Sequence, residues 1–136
     1  WIEEGRTLLV TGGRADDTYA FGRVDLEDGA LAWVTPAGFE DGEAVWCEAK
    51  RRVVVLRHER GSDVHKVVSC AADGSDVREH GLAREPRGDL VVDAKGRWIA
   101  WGEGPDDARR LAVVAWSGGE VVRHDVAIGR ELAARP

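Results

Sequence analysis

The sequence predicts an all-β fold of about three four-stranded antiparallel blades. They form a segment of a larger β-propeller, with the first blade lacking its innermost strand. Three observations carry this. The chain repeats with a period of 45 residues: Trp1, Trp46 and Val91 fall in step, as do Ile2, Cys47 and Val92, and Leu9, Val54 and Ile99. A period in the forties built from short apolar runs is the signature of propeller blades. Turn signals recur in the same step at Asp28-Gly29, Asp73-Gly74 and Gly118-Gly119, where glycine supplies the positive φ that tight hairpins need. Helix has little support, because the chain holds 17 glycines and no segment before residue 127 shows an apolar face at i, i+3, i+4 over three turns.

The elements follow in order. Blade 1 (1–43) begins at the tail of a first strand, Trp1, and continues with strands over 7–12, 18–26 and 31–35. Blade 2 (44–88) is complete, with strands over 44–48, 52–58, 65–71 and 77–80. Its second strand holds the run Val53-Val54-Val55-Leu56, which suits a strand buried on both faces. Blade 3 (89–136) repeats the plan over 89–93, 97–102, 109–117 and 121–126. Lys95-Gly96 turns its first hairpin, and Gly104-Pro105-Asp106-Asp107 is a loop no strand crosses. Residues 128–134 could coil into one short helical turn, although the register places a loop there. A next first strand is expected from Ala134.

Propellers close at four to eight blades, so three blades make an arc with two open sides. The missing blades are expected from the rest of a longer polypeptide, because the break falls inside a blade. A second copy is the alternative, since two copies related by a twofold would give six blades.

Composition bounds the function. The chain is 43% hydrophobic and 32% charged, which is globular. Its net charge of -6 and the lack of a basic stripe argue against nucleic acid; the acidity serves solubility. No apolar stretch approaches the ~20 residues of a membrane helix, and no membrane partner is expected. Cys47 and Cys70 fall on the first and third strands of one blade, about two strand spacings of ~4.8 Å apart. That exceeds the reach of a disulfide, so two free thiols are expected, pointing to a reducing, cytoplasmic setting.

No complete catalytic centre is legible, and no cofactor is expected. Gly61-Ser62-Asp63 and Gly74-Ser75-Asp76 do not fit the G-x-S-x-G elbow and read as turns. His58 and His65 flank a hairpin and could face each other, but zinc wants three or four ligands. The pairs Asp16-Asp17 and Asp106-Asp107 fall short of a calcium loop and read as charged tips that discourage strand pairing. Most of the six tryptophans lie in buried-looking strands and read as packing between blades. Trp98 and Trp101, three apart on one strand, point to opposite faces. The one recurring polar set is Glu3, Glu48 and Asp93, where first strands turn into second strands. A ring of acidic groups there could steer cationic substrates or, in a propeller glycosidase or lactonase, supply carboxylates at the axis. The alternative is that an acid simply suits a hairpin end beside Arg or Lys.

Asp93-Ala94-Lys95-Gly96-Arg97-Trp98-Ile99-Ala100-Trp101 resembles the "SPDG-R-W-I-A-F" signature of TolB-like, WD40-like propeller repeats, with Ala94 in place of the usual Pro. Leu111-Ala112-Val113-Val114 and Asp73-Gly74-Ser75 resemble the other half of that repeat. Within the middle blade, the stretch from Leu56 to Val68 is similar to one in propellers of the S9 (prolyl oligopeptidase and acylaminoacyl peptidase) family, and Arg87 to Asp93 is similar to a second. The S9 resemblance implies a non-catalytic propeller that gates short peptides on their way to a separate α/β-hydrolase domain, which holds the catalytic groups. The TolB-like resemblance implies instead a protein-binding scaffold without enzymatic activity, and a periplasmic setting.

Overall fold

The computed structural model describes Ile2 and residues 5–126, which form three antiparallel sheets. The first holds β1 (Thr7–Gly13), β2 (Tyr19–Asp25) and β3 (Leu31–Trp33). The second holds β4 (Phe39–Cys47), β5 (Arg52–Glu59), β6 (His65–Cys70) and β7 (Arg78–Ala83). The third holds β8 (Val91–Val92), β9 (Trp98–Glu103), β10 (Arg110–Ala115) and β11 (Val122–Asp125). Within each sheet every strand pairs with its neighbour in sequence, which is the meander of a propeller blade. Ile2 bridges to Thr7 and is what the described residues show of the first blade's inner strand. The positions 128–134 and the strand expected from Ala134 lie outside the described residues.

The apolar run in β5 shows why the blades stack. Val53 and Val55 point to the first blade, where they join Phe21, Val68 and Cys70. Val54 and Leu56 point the other way, with Val67 and Ala83, and meet Ile99, Trp101, Ala112 and Val114 of the third blade. A strand covered on both faces needs no polar alternation. Each such side chain contributes about 1.5–3 kcal/mol of burial, so the core of this molecule is its two seams. Cys47 and Cys70 are both buried and free. Burial pushes the Cys70 thiol up to about 11, partly offset by Arg57, so it is unreactive near neutral pH.

The repeat is not uniform. Equivalent closing pairs of the inner hairpin are Ile2 with Thr7, Cys47 with Arg52, and Asp93 with Trp98. Asp93 N–H donates to the Trp98 carbonyl at 3.1 Å. The step is therefore 45 from blade 1 to blade 2 but 46 from blade 2 to blade 3. The extra residue sits in the β5–β6 hairpin: Gly13 and Tyr19 pair around five residues, His58 and His65 around six. A fixed 45-residue period thus equates Val53 with Trp98, whereas the structure equates Val53 with Ile99. A slip of one residue exchanges the two faces of a strand. The first strand of blade 2 also starts at Phe39, ahead of the expected Ala44. It pairs Asp41 with Arg57, then carries a bulge before Ala44 pairs with Val55.

At the turn end of the second seam lies a polar knot. Arg52 donates to the Ser69 hydroxyl (3.1 Å) and to Asp76 (2.5 Å), and His80 Nε2 meets the Ser69 hydroxyl at 2.9 Å. The His80 ring lies 5.1 Å from that of Trp116 in the third blade. Burial holds His80 below the ordinary histidine range, with the Arg52 and Arg78 charges adding to it. A base whose folded pKa is depressed binds its proton more readily when unfolded, so stability falls as pH drops below the unfolded value of ~6.5. Thermal midpoints from about pH 7 to about pH 5 should fall more steeply for the native chain than for His80→Gln. Equal slopes would remove His80 from this role.

Candidate binding site at the hairpin end

The arc has two ends. One carries the turns that join first to second and third to fourth strands. The other carries the β1–β2, β5–β6 and β9–β10 hairpins and the connectors between blades.

The turn end holds two of the recurring acids, Glu48 and Asp93, and engages both locally. Glu48 sits in a one-turn 3-10 helix, Glu48–Lys50, and accepts from Trp46 Nε1 at 2.5 Å. Asp93 caps its own turn, accepting from the backbone N–H groups of Arg97 and Trp98 and, at 3.0 Å, from Arg97 Nε. Desolvation works to raise its pKa, and these donors outweigh it, bringing the carboxyl down to about 2. Glu48 and Asp93 do not occupy equivalent positions, because the Asp93 counterpart in blade 2 is Cys47. Glu3 lies outside the described residues, as does Trp1.

The other singled-out groups distribute as follows. Ser62 accepts from Val64 N–H at 3.1 Å, and Ser75 donates to Asp73 at 2.6 Å, so both are turn residues. Asp16 is held low chiefly by the Thr18 hydroxyl, 2.5 Å away, and Asp106 by Arg109 at 2.9 Å. Among the described residues no group of three or more His, Cys, Asp or Glu is placed to hold a metal ion. Trp46, Trp101 and Trp116 pack in the seams. Trp33 and Trp98 stand on the outer flanks of the first and third blades, and Trp98 is 50% exposed.

The hairpin end is where side chains from several elements converge. His58 and His65 are cross-strand partners with ring centroids 4.5 Å apart. They line a cavity of about 320 Å³ together with Tyr19, Glu40, Glu43 and Leu56. His58 Nε2 lies 3.6 Å from Glu40, and Glu43 accepts from Leu90 N–H at 2.9 Å. Of this group the sequence singled out only the histidines. Glu40 and Glu43 fall in the part of β4 that begins ahead of Ala44, where the bulge hides strand alternation.

The meander sheets, stacked face to face around a common side, define the class: this is an arc of a β-propeller. No family model matches the chain, and no curated protein matches it. Solved structures do. The putative TolB from Agrobacterium tumefaciens aligns with TM-score 0.75 and 15% identity over 93% of this chain and 48% of that one. TolB from Acinetobacter baumannii aligns with TM-score 0.77 and 13% identity over 93% and 31%. An oligogalacturonate lyase in complex with manganese aligns with TM-score 0.62 and 14% identity over 79% and 28%. The chain has the fold of TolB-like propellers and spans less than half the length of these structures.

Proposed function

We propose that the chain belongs to a non-catalytic, TolB-like propeller scaffold that binds protein, with its outer flanks closed by further blades. The scaffold reading draws on the likeness to TolB structures, and the observation that carries closure by further blades is the chemistry of those flanks. Val91, Trp98, Leu111 and Val122 are exposed on the third blade. On the first, Trp33 and Leu31 stand opposite Gly22 and Val24. These are side chains of the kind the two buried seams use. The flank of the third blade is more apolar than the seam beside it, since Trp98 takes the place of Arg52 and Val113 that of Ser69. A neighbouring blade there presents an apolar surface.

The test is Val122→Glu, made in these 136 residues alone and in the protein with its adjoining sequence. In the isolated chain an exposed substitution should change stability by no more than about 0.5 kcal/mol. With neighbouring blades in place, an unpaired carboxylate buried in a seam should cost about 2 kcal/mol or more. A small effect in both leaves the flank a free surface and ends the proposal.

Gating of peptides for a serine peptidase is the second reading. Its support is positional: Leu56, His58 and His65 from one S9-like stretch and Gly88 from the other line the same cavity. An adjoining hydrolase segment bearing a G-x-S-x-G elbow is its requirement, and coding sequence without one removes it.

A further inference from the structure

We infer that the hairpin-end cavity takes a basic group from a protein partner, an arginine or lysine side chain or a free amino terminus. This deepens the scaffold reading and rests on it. The cavity is lined by two carboxylates, Glu40 and Glu43, and by no lysine or arginine. The fully buried acids among the described residues are saturated: Asp41 by Arg57 and Thr35, Glu103 by Arg123, Trp101 and Arg84. Glu40 differs. The side chain nearest it is the His58 imidazole, with Nε2 at 3.6 Å, beyond hydrogen-bond reach. Glu43 gives one oxygen, Oε2, to Leu90 N–H and keeps the other for a ligand.

The walls fit the same guest. Tyr19, 62% exposed, and the two imidazoles, whose planes are tilted by 39° to each other, offer ring faces on which a guanidinium or ammonium settles. Leu56 gives an apolar surface for the alkyl stem of a long basic side chain. The net charge of -6 favours approach of a cationic partner over an anionic one. The lining comes from β2, β4, β5, β6 and the connector ahead of β8, so elements of the first and second blades and the connector to the third meet there.

Two capped probes test this, acetyl-Gly-Arg-Gly-amide and acetyl-Gly-Glu-Gly-amide, titrated into the whole chain while the histidine ring resonances are followed by NMR. The arginyl probe should move the His58 and His65 signals and the glutamyl probe should not. Glu40→Gln, with an unchanged thermal midpoint, should weaken the arginyl probe about tenfold through loss of a charge-assisted contact. Tyr19→Ala should weaken it as well. Equal binding of the glutamyl probe, unchanged affinity in Glu40→Gln, or unmoved ring signals at millimolar probe would each overturn the inference. Those results leave the scaffold reading standing, because that reading is decided on the flank by Val122→Glu.

Discussion

Asp41→Ala should destabilise the chain by about 3–5 kcal/mol, the range found when one partner of a buried ion pair is removed. Asp41 is fully buried and Arg57 nearly so. The two meet in a bidentate pair, Nε to Oδ1 at 2.6 Å and Nη2 to Oδ2 at 2.7 Å. Burial works against the guanidinium charge, and Asp41 more than reverses this, raising the Arg57 pKa. Without the carboxylate, a charge stays behind in an apolar seam. The damage also reaches the first blade. The Thr35 hydroxyl donates to Asp41 at 2.7 Å while accepting Phe21 N–H at 2.9 Å, and Arg14 donates to the Thr35 carbonyl at 3.1 Å.

Urea unfolding reads the loss, and hydrogen exchange should show Phe21 N–H losing protection ahead of the third blade. Asp41→Leu combined with Arg57→Met should cost much less than Asp41→Ala alone, because no charge is then stranded. A loss under about 1 kcal/mol would mean that the pair behaves like a surface salt bridge and does not hold the seam.

The residues that fasten the seams are the part of this molecule that the sequence hides. Blade number and strand order were legible because apolar runs and turn glycines recur at a period that reports a blade. Opposite faces for Trp98 and Trp101 were legible because a strand alternates with period two. Asp41 carries no local signal: it sits just before a bulge, in a stretch read as connector, and its partner lies across the sheet. The one-residue insertion between His58 and His65 was equally hidden. A period fitted to the whole chain absorbs it silently, and the cost appears as a wrong equivalence between Glu48 and Asp93. For the cavity, facing histidines could be inferred from hairpin spacing. Glu40 and Glu43 needed the register of β4, which only the pairing shows.

Trp101→Ala should carry the second large effect, about 3–5 kcal/mol for truncating a buried aromatic. Trp101 is 0% exposed, the largest wholly buried side chain in the chain's described part, and lies at the centre of the seam between the second and third blades. Its Nε1 donates to Glu103 at 2.8 Å. That carboxylate also takes Arg84 N–H at 2.8 Å and Arg123 Nε at 2.7 Å, while Arg123 reaches the Leu82 carbonyl of the second blade at 3.1 Å. Ring packing and polar clasp are therefore joined in one residue, and Trp101→Phe separates them. Phenylalanine keeps most of the apolar contact and removes the donor, so its cost should be about 1–3 kcal/mol, the range for a buried acceptor that loses a partner. Trp98→Ala is the control on the same strand. On a 50% exposed flank it should cost far less than Trp101→Ala in the isolated chain, and approach it only where a further blade covers that face. If the two substitutions prove equally costly in these 136 residues, the assignment of one tryptophan to a seam and the other to an open flank is wrong.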